Sequence, residues 1–173
     1  MNERRISHVQ LRPWDAPSLL HRSTELRDDD TLQLLWRSPQ ARLLRVDAAS
    51  QFALNPFGMP AAGELDETIA FLGTVHGGPW FAQRVERIPG GETIRDASLT
   101  DTQYQLASAA LAILNWGESA LFCDRCAGRL RRIRGGFAAV CTICGREHFP
   151  RTDPAVIVAV LDMAIGFQQV THW

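Results

Sequence analysis

The clearest periodic stretch of the chain lies over 101–116, where Leu106, Ala109, Ala110, Ile113 and Leu114 recur at helical spacing. Thr100 stands where an N-cap belongs, and Gln103, three residues on, completes the pattern of a capping box. Gly117 sits where a C-terminal glycine would end the helix. Upstream, Asp28-Asp29-Asp30 before Thr31-Leu32-Gln33-Leu34-Leu35-Trp36 predicts a short helix with acids at its positive end. Residues 41–46 and 51–54 read as strands around a turn at 47–50, and Pro56, Gly58, Pro60 and Gly63 mark a loop. Residues 68–75 and 80–88 read as two further strands, joined by the turn cluster His76-Gly77-Gly78-Pro79, and Gly90-Gly91 breaks the pattern after them. Residues 1–28, with Pro13 and Pro17, show no period and read as loop. The unbroken apolar run 155–161 predicts a buried strand that Asp162 ends, and 163–173 shows neither period nor cap. A central strand so placed needs sheet neighbours.

Chemistry enters with the four cysteines, which form two tight pairs, Cys123-Asp-Arg-Cys126 and Cys141-Thr-Ile-Cys144, with fourteen residues between the pairs. A Cys-x-x-Cys turn aims two thiolates at one point, and two such turns facing each other make a tetrahedral sulphur site suited to Zn²⁺. Between them, 130–133 and 137–140 read as the strands of a hairpin with Arg134-Gly135-Gly136 as its turn. Gly145 follows the last cysteine, where a knuckle needs a residue tolerant of positive φ. A site closed by four thiolates leaves no open coordination position, so this zinc is expected to be structural. Its binding energy, on the order of 10 kcal/mol or more, would largely fold the ribbon. The competing assignments are two disulfides or a rubredoxin-like iron. The charged start Met1-Asn2-Glu3-Arg4-Arg5 has no apolar secretory core, which favours a reduced, cytoplasmic setting over disulfides.

Composition narrows the classes. The 46 % apolar content supports a packed core, and the absence of any run of about 18 apolar residues excludes a helical membrane span. Net charge is −1, so the chain as a whole has no pull toward nucleic acid, and all eighteen basic residues are arginine. Seven of them (Arg125, Arg129, Arg131, Arg132, Arg134, Arg146 and Arg151) fall between Cys123 and Arg151, with only Asp124 and Glu147 against them. That window reads either as a patch for phosphate or RNA backbone, or as the polar surface of a small ribbon. Glu64 and Glu67 read as a solvated turn, His76 as an exposed turn residue, and His148 as a strand histidine rather than a fifth metal ligand, since four thiolates already close the site.

Three pieces together carry a family resemblance. They are Ala109-Ala110-Leu111-Ala112-Ile113-Leu114-Asn115-Trp116, the four-cysteine ribbon, and His148-Phe149-Pro150-Arg151-Thr152-Asp153-Pro154-Ala155-Val156-Ile157-Val158. In these the chain resembles the N-terminal part of the NADH pyrophosphatases, zinc-containing Nudix hydrolases. It departs from them mildly at Gly117, where the family has His, and at Ala127, where it has Gly. The resemblance implies an α+β fold with four parts. A mixed α/β N-terminal domain with antiparallel strands, itself Nudix-like, would span 1–99, a linking helix 100–118 and a zinc ribbon 119–150. The first strand of an incomplete Nudix domain would lie in 151–173.

The resemblance also implies a reaction, hydrolysis of the pyrophosphate of NAD(H) to nicotinamide mononucleotide and AMP and also decapping of NAD-capped RNA, with Phe149 at the substrate-binding region; core packing is the equal alternative for that ring. The family's Mg²⁺ or Mn²⁺ is held by the glutamates of the Nudix box. No Glu follows Glu147 and no Arg-Glu-x-x-Glu-Glu occurs, so a truncated product without activity of its own is expected. Two other readings stand beside it: a non-enzymatic zinc-ribbon module for nucleic acid or a partner chain, and a subunit whose catalytic half is a separate chain. A homodimer is also compatible with the resemblance, and no membrane partner is expected.

Overall fold

A computed structural model describes residues 18–150 of the chain. The strand expected over 155–161, the segment 163–173, Arg151 and the loop-like 1–17 lie outside the described residues. The fold class is α+β. In chain order the elements are α1 (Asp29–Trp36), β1 (Arg42–Asp47), β2 (Gln51–Phe52), β3 (Met59–Pro60), β4 (Ile69–Val75), β5 (Gly78–Val85), β6 (Glu92–Thr93), α2 (Asp101–Ser119), β7 (Leu130–Ile133), β8 (Ala138–Cys141) and β9 (Glu147–His148). Short 3₁₀ turns occupy Thr24–Arg27 and Arg134–Gly136.

Four strands form the main sheet in the order β3-β1-β5-β4. The β4–β5 hairpin turns on His76 and Gly77, both at positive φ (49° and 81°), as a two-residue turn matching strand twist requires. Leu43 and Leu44, Ile69 through Leu72, and Phe81 and Ala82 are all buried because both faces of this sheet are covered. Odd and even positions then go to opposite sides. Leu44, Val46, Ala70, Leu72 and Ala82 meet Leu106, Ala107, Ala110, Ile113 and Leu114 of α2. Leu43, Ile69, Phe71 and Phe81 meet Leu32 and Trp36 of α1. The second layer closes with an edge-to-face contact of Trp36 on Phe81 at 4.9 Å and a bond from Trp36 Nε1 to the Gly63 carbonyl at 2.9 Å.

Local signals explain where the helices start. The Asp28 carboxylate accepts from the Thr31 amide at 2.9 Å, capping α1. The capping box of α2 is formed in both directions: Gln103 N–H donates to Thr100 Oγ1 at 3.3 Å, and Thr100 N–H to Gln103 Oε1 at 3.0 Å.

The structure differs from the sequence reading in three places. First, beside its antiparallel pairs β1–β3 and β4–β5 the sheet holds a parallel pair that the sequence did not signal, β1 with β5 from Arg42↔Trp80 to Asp47↔Val85. The turn after β1 does form, with Ser50 N–H on the Asp47 carbonyl at 3.0 Å, but β2 leaves β1 to pair with β6. The buried Asp47 carboxylate sets that exit by accepting from the amides of Ala49, Gln51 and Ile88 at 3.0, 2.9 and 3.2 Å. Second, Gly117 does not end α2; the helix continues to Ser119, and Gly117 is buried inside it. A Cβ there would overlap the Arg132 guanidinium, so this glycine serves a close approach of ribbon to helix. Third, β3 and β6 form where the sequence reading places no strand.

Arg84 ties the body together. It bonds the Asp47 carbonyl at 2.7 Å, Asn115 Oδ1 at 2.5 Å and Glu118 at 2.6 Å, joining β5, β1 and the end of α2. Among the described residues, no helix is long and apolar enough to cross a membrane.

Candidate metal centre

The centre is built on the three-stranded sheet β7-β8-β9, whose first two strands form the hairpin read from the sequence. β7 pairs with β8 from Leu130↔Cys141 to Ile133↔Ala138, and Ala139 faces His148 on β9. The hairpin turn runs through Arg134, Gly135 and Gly136 at φ 55°, 64° and 89°. It lies against β4: a Cβ on Gly135 would sit 2.8 Å from Phe71 Cβ, and one on Gly136 3.2 Å from Ala70 Cβ. Phe137 packs against both core layers, and the Arg27 guanidinium covers its ring at 3.8 Å. The ribbon is therefore seated on the sheet by its turn, with its two knuckles at the far end.

Each knuckle is a tight backbone loop. In the first, Cys123 N–H donates to the Gly128 carbonyl at 2.8 Å and Ala127 N–H to the Cys123 carbonyl at 2.9 Å, with Ala127 at φ 57°. In the second, Gly145 N–H donates to the Cys141 carbonyl at 3.0 Å, with Gly145 at φ 71°, as the knuckle needs. The amides of Ile143 and Cys144 point at Cys141 Sγ, at 3.4 and 3.5 Å.

The four cysteines are free thiols, and their sulphurs all lie within 4.8 Å of one another. Cys123 Sγ is 3.7 Å from Cys144 Sγ, and Cys126 Sγ is 3.4 Å from Cys141 Sγ. A zinc tetrahedron with Zn–S bonds of about 2.3 Å has edges of about 3.8 Å, so the donor set and spacing fit Zn²⁺. Cys123 and Cys141 are buried, Cys126 and Cys144 face solvent. The amide of Cys144, then that of Ile143 and the neighbouring thiols, bring Cys141 down from the usual thiol range to about 6. Cys126 is pushed up to about 12: the Gly128 amide acts against the rise, but the thiols of Cys141 and Cys144 outweigh it. One proton is thus held between Cys126 and Cys141 in the metal-free ribbon.

Around the centre, the acids of the ribbon are used locally. Arg134 pairs with Glu147 at 2.9 Å and Arg146 with Asp124 at 3.2 Å, while Arg129 lies over the Phe122 ring at 5.8 Å. Six described arginines face two acids, so the ribbon surface stays positive. A cleft of about 270 Å³ separates the hairpin from the body, with Arg131, Arg132 and Arg134 on one wall and Asp29, Asp66 and Glu67 on the other. Phe149 stands beyond β9 with 54 % of its surface exposed. Glu64, Glu67 and His76 are all exposed. His148 is largely covered, close to Asp124 and Cys123, a juxtaposition the cysteine spacing alone does not signal. Among the described residues, the groups of donors able to hold a metal all involve the cysteines, and no carboxylate cluster accompanies them.

Comparison with known proteins gives a consistent answer. Residues 118–149 match the family described as NADH pyrophosphatase zinc ribbon domain. Relatives named NAD-capped RNA hydrolase NudC, from Mycobacterium tuberculosis (strain ATCC 25618 / H37Rv) and Mycobacterium bovis (strain ATCC BAA-935 / AF2122/97), are each 36 % identical over 143 residues. The match covers 73 % of this chain and 46 % of each relative, so the chain spans about half the length of the curated relatives it matches.

Proposed function

This chain belongs, in part, to the NADH pyrophosphatase family, and from that premise we propose that it is the zinc-ribbon portion of a hydrolase acting on NAD(H) or NAD-capped RNA. In that reaction water attacks a phosphorus of the pyrophosphate, and the bond to the bridging oxygen breaks, giving nicotinamide mononucleotide and AMP from NAD(H), or nicotinamide mononucleotide and a 5′-monophosphate RNA from the capped chain. The observation that carries the reading is the convergence of Cys123, Cys126, Cys141 and Cys144 within a ribbon of this family. These four residues hold one structural Zn²⁺, which locks the knuckles and has no open position for water. Phe149, exposed directly after β9, offers its ring to a substrate base or nicotinamide. The carboxylates for a catalytic Mg²⁺ or Mn²⁺ are not supplied here: no Arg-Glu-x-x-Glu-Glu occurs in the 173 residues. The free thiols agree with a reducing, cytoplasmic setting.

Two measurements test this. Metal analysis should give about one zinc per chain, lost in Cys126→Ser. Stoichiometric disulfides without metal would sink the assignment. Incubated with NADH and Mn²⁺, these 173 residues alone should release no AMP above the buffer rate, and robust turnover by homogeneous protein would reveal carboxylates working outside the expected box.

The positive ribbon surface supports a second reading, a module that binds nucleic acid. It predicts RNA binding that weakens steeply with salt and persists in Phe149→Ala. A homodimer, which the family resemblance admits, is read directly by sedimentation.

A further inference from the structure

His148 lies on the two-residue strand β9, facing Ala139 of β8, and only 17 % of its side chain is exposed. Its Nε2 is shut off from solvent and has no hydrogen-bond partner in the protein. A buried ring nitrogen without a partner is costly, and it marks a contact not yet made. Two acceptors stand beside it. Asp124 Oδ1 is 3.9 Å from Nε2 and 4.0 Å from Cys123 Sγ, and a nitrogen of the ring, a carboxylate oxygen and the sulphur all fall within 4.8 Å of one another. Asp124 is also paired with Arg146 at 3.2 Å, on the far side of the second knuckle.

Zinc loading turns Cys123 into a thiolate, and four thiolates around Zn²⁺ leave the centre with two net negative charges. The Asp124 carboxylate then faces a negatively charged sulphur about 4 Å away. The imidazole N–H is the group placed to relieve this. We infer that His148 is a positioning residue of the zinc centre, donating its Nε2 hydrogen to the Cys123 thiolate, with Asp124, itself paired to Arg146, beside both. A donor to a metal-bound thiolate drains charge from the sulphur and slows its protonation and release. Cys141 has the amides of Ile143 and Cys144 aimed at its sulphur for the same purpose. The amide-to-sulphur hydrogen bonds of the described residues are those to Cys141, and at Cys123 the side chain of a strand 25 positions away takes that place.

The inference rests on the four-cysteine zinc assignment, and metal content measured on the same samples separates the two: absent zinc in the parent chain fails the assignment, normal zinc with an indifferent His148 fails the inference. The full 173-residue chain is loaded with Zn²⁺ and challenged with a chelator that changes colour on binding zinc. His148→Phe keeps the ring volume and removes the N–H; zinc release should accelerate about tenfold, the low end of what outer partners of metal ligands contribute. His148→Gln returns a donor of similar reach and should recover most of that loss. Asp124→Asn removes the carboxylate that opposes the sulphur and should partly rescue His148→Phe, an effect that lost packing would not produce. With Co²⁺ in place of zinc, the sulphur-to-metal charge-transfer band should move to lower energy in His148→Phe, at unchanged intensity. Equal release rates and an unmoved band in His148→Phe would overturn the inference. So would a parent spectrum with three-thiolate intensity, which would put His148 inside the coordination sphere.

Discussion

Replacing Gly135 with alanine should lower the thermal midpoint of the chain by about 6–15 °C, working from two separable costs. The residue sits at φ 64°, so any side chain brings the left-handed penalty of about 1–2 kcal/mol. The new Cβ would also lie 2.8 Å from Phe71 Cβ and 3.3 Å from Leu32 Cδ1. Phe71 is 1 % exposed and part of β4, so its Cβ moves only if the strand or the ribbon moves, an overpacking cost of about 1–3 kcal/mol. Together these come to about 2–5 kcal/mol, at roughly 3 °C per kcal/mol for a chain of this size. Gly77→Ala supplies the control: its φ is 81°, but nothing lies within 4 Å of the added Cβ, so only the first cost applies and the drop should be about 3–6 °C. The assay is thermal unfolding followed by circular dichroism at a fixed excess of zinc, because bound metal itself raises the midpoint. Zinc content should stay at that of the parent, since no thiolate is touched. Equal drops in the two variants would refute the claim that the ribbon turn is seated against Phe71 and Leu32.

Thr100→Ala removes the acceptor for the Gln103 amide and one half of the capping box, and should cost about 1 kcal/mol, read as a lower urea midpoint with unchanged slope. In metal-free protein, ultraviolet thiolate absorbance should show a step near pH 6 from the Cys126–Cys141 pair, with the pair's second proton held to about pH 12. Because the folded Cys141 value is depressed, its contribution to the metal-free ribbon is fully present above the ordinary thiol value near 9 and is lost as pH falls through about 6. A first step at the ordinary thiol value would contradict the role given to the Ile143 and Cys144 amides.

Local chemistry made some of this legible. The capping box at Thr100 and Gln103, the acidic helix start at 28–30 and the hairpin between the cysteine pairs form as written, because each depends on residues within a few positions of one another. Apolar runs gave the strands for the same reason. They did not give the partners: periodicity reports which residues are buried, and a parallel β1–β5 pair has the same signature as an antiparallel one. Gly117 shows the opposite failure. A glycine near a helix end is a sound local signal, but Arg132 arrives from fifteen positions downstream and requires a surface without a Cβ, so the helix runs on. His148 was equally out of reach, since its approach to Cys123 exists only once β9 has paired with β8.

These tertiary contacts bear on how a ribbon of about thirty residues is held in one place. Alone, such a ribbon has little apolar surface to bury, and metal binding supplies most of its folding energy. Metal fixes only the knuckle end, where Cys126, Ile143 and Cys144 face solvent. The opposite end is fixed by Gly135, Gly136 and Phe137 against a sheet whose two faces are already filled by α1 and α2. Arg132 over Gly117 adds a third point, at the side of α2. With both ends and one side held, rotation of the ribbon about its long axis requires breaking a packed contact rather than bending a linker. Whatever follows β9 therefore leaves the body from a defined place and direction, beside Phe149. Under the hydrolase proposal, a rigid exit of this kind is what a substrate ring at Phe149 would need to meet catalytic carboxylates, because misplacement by about 1 Å is enough to cost orders of magnitude in rate.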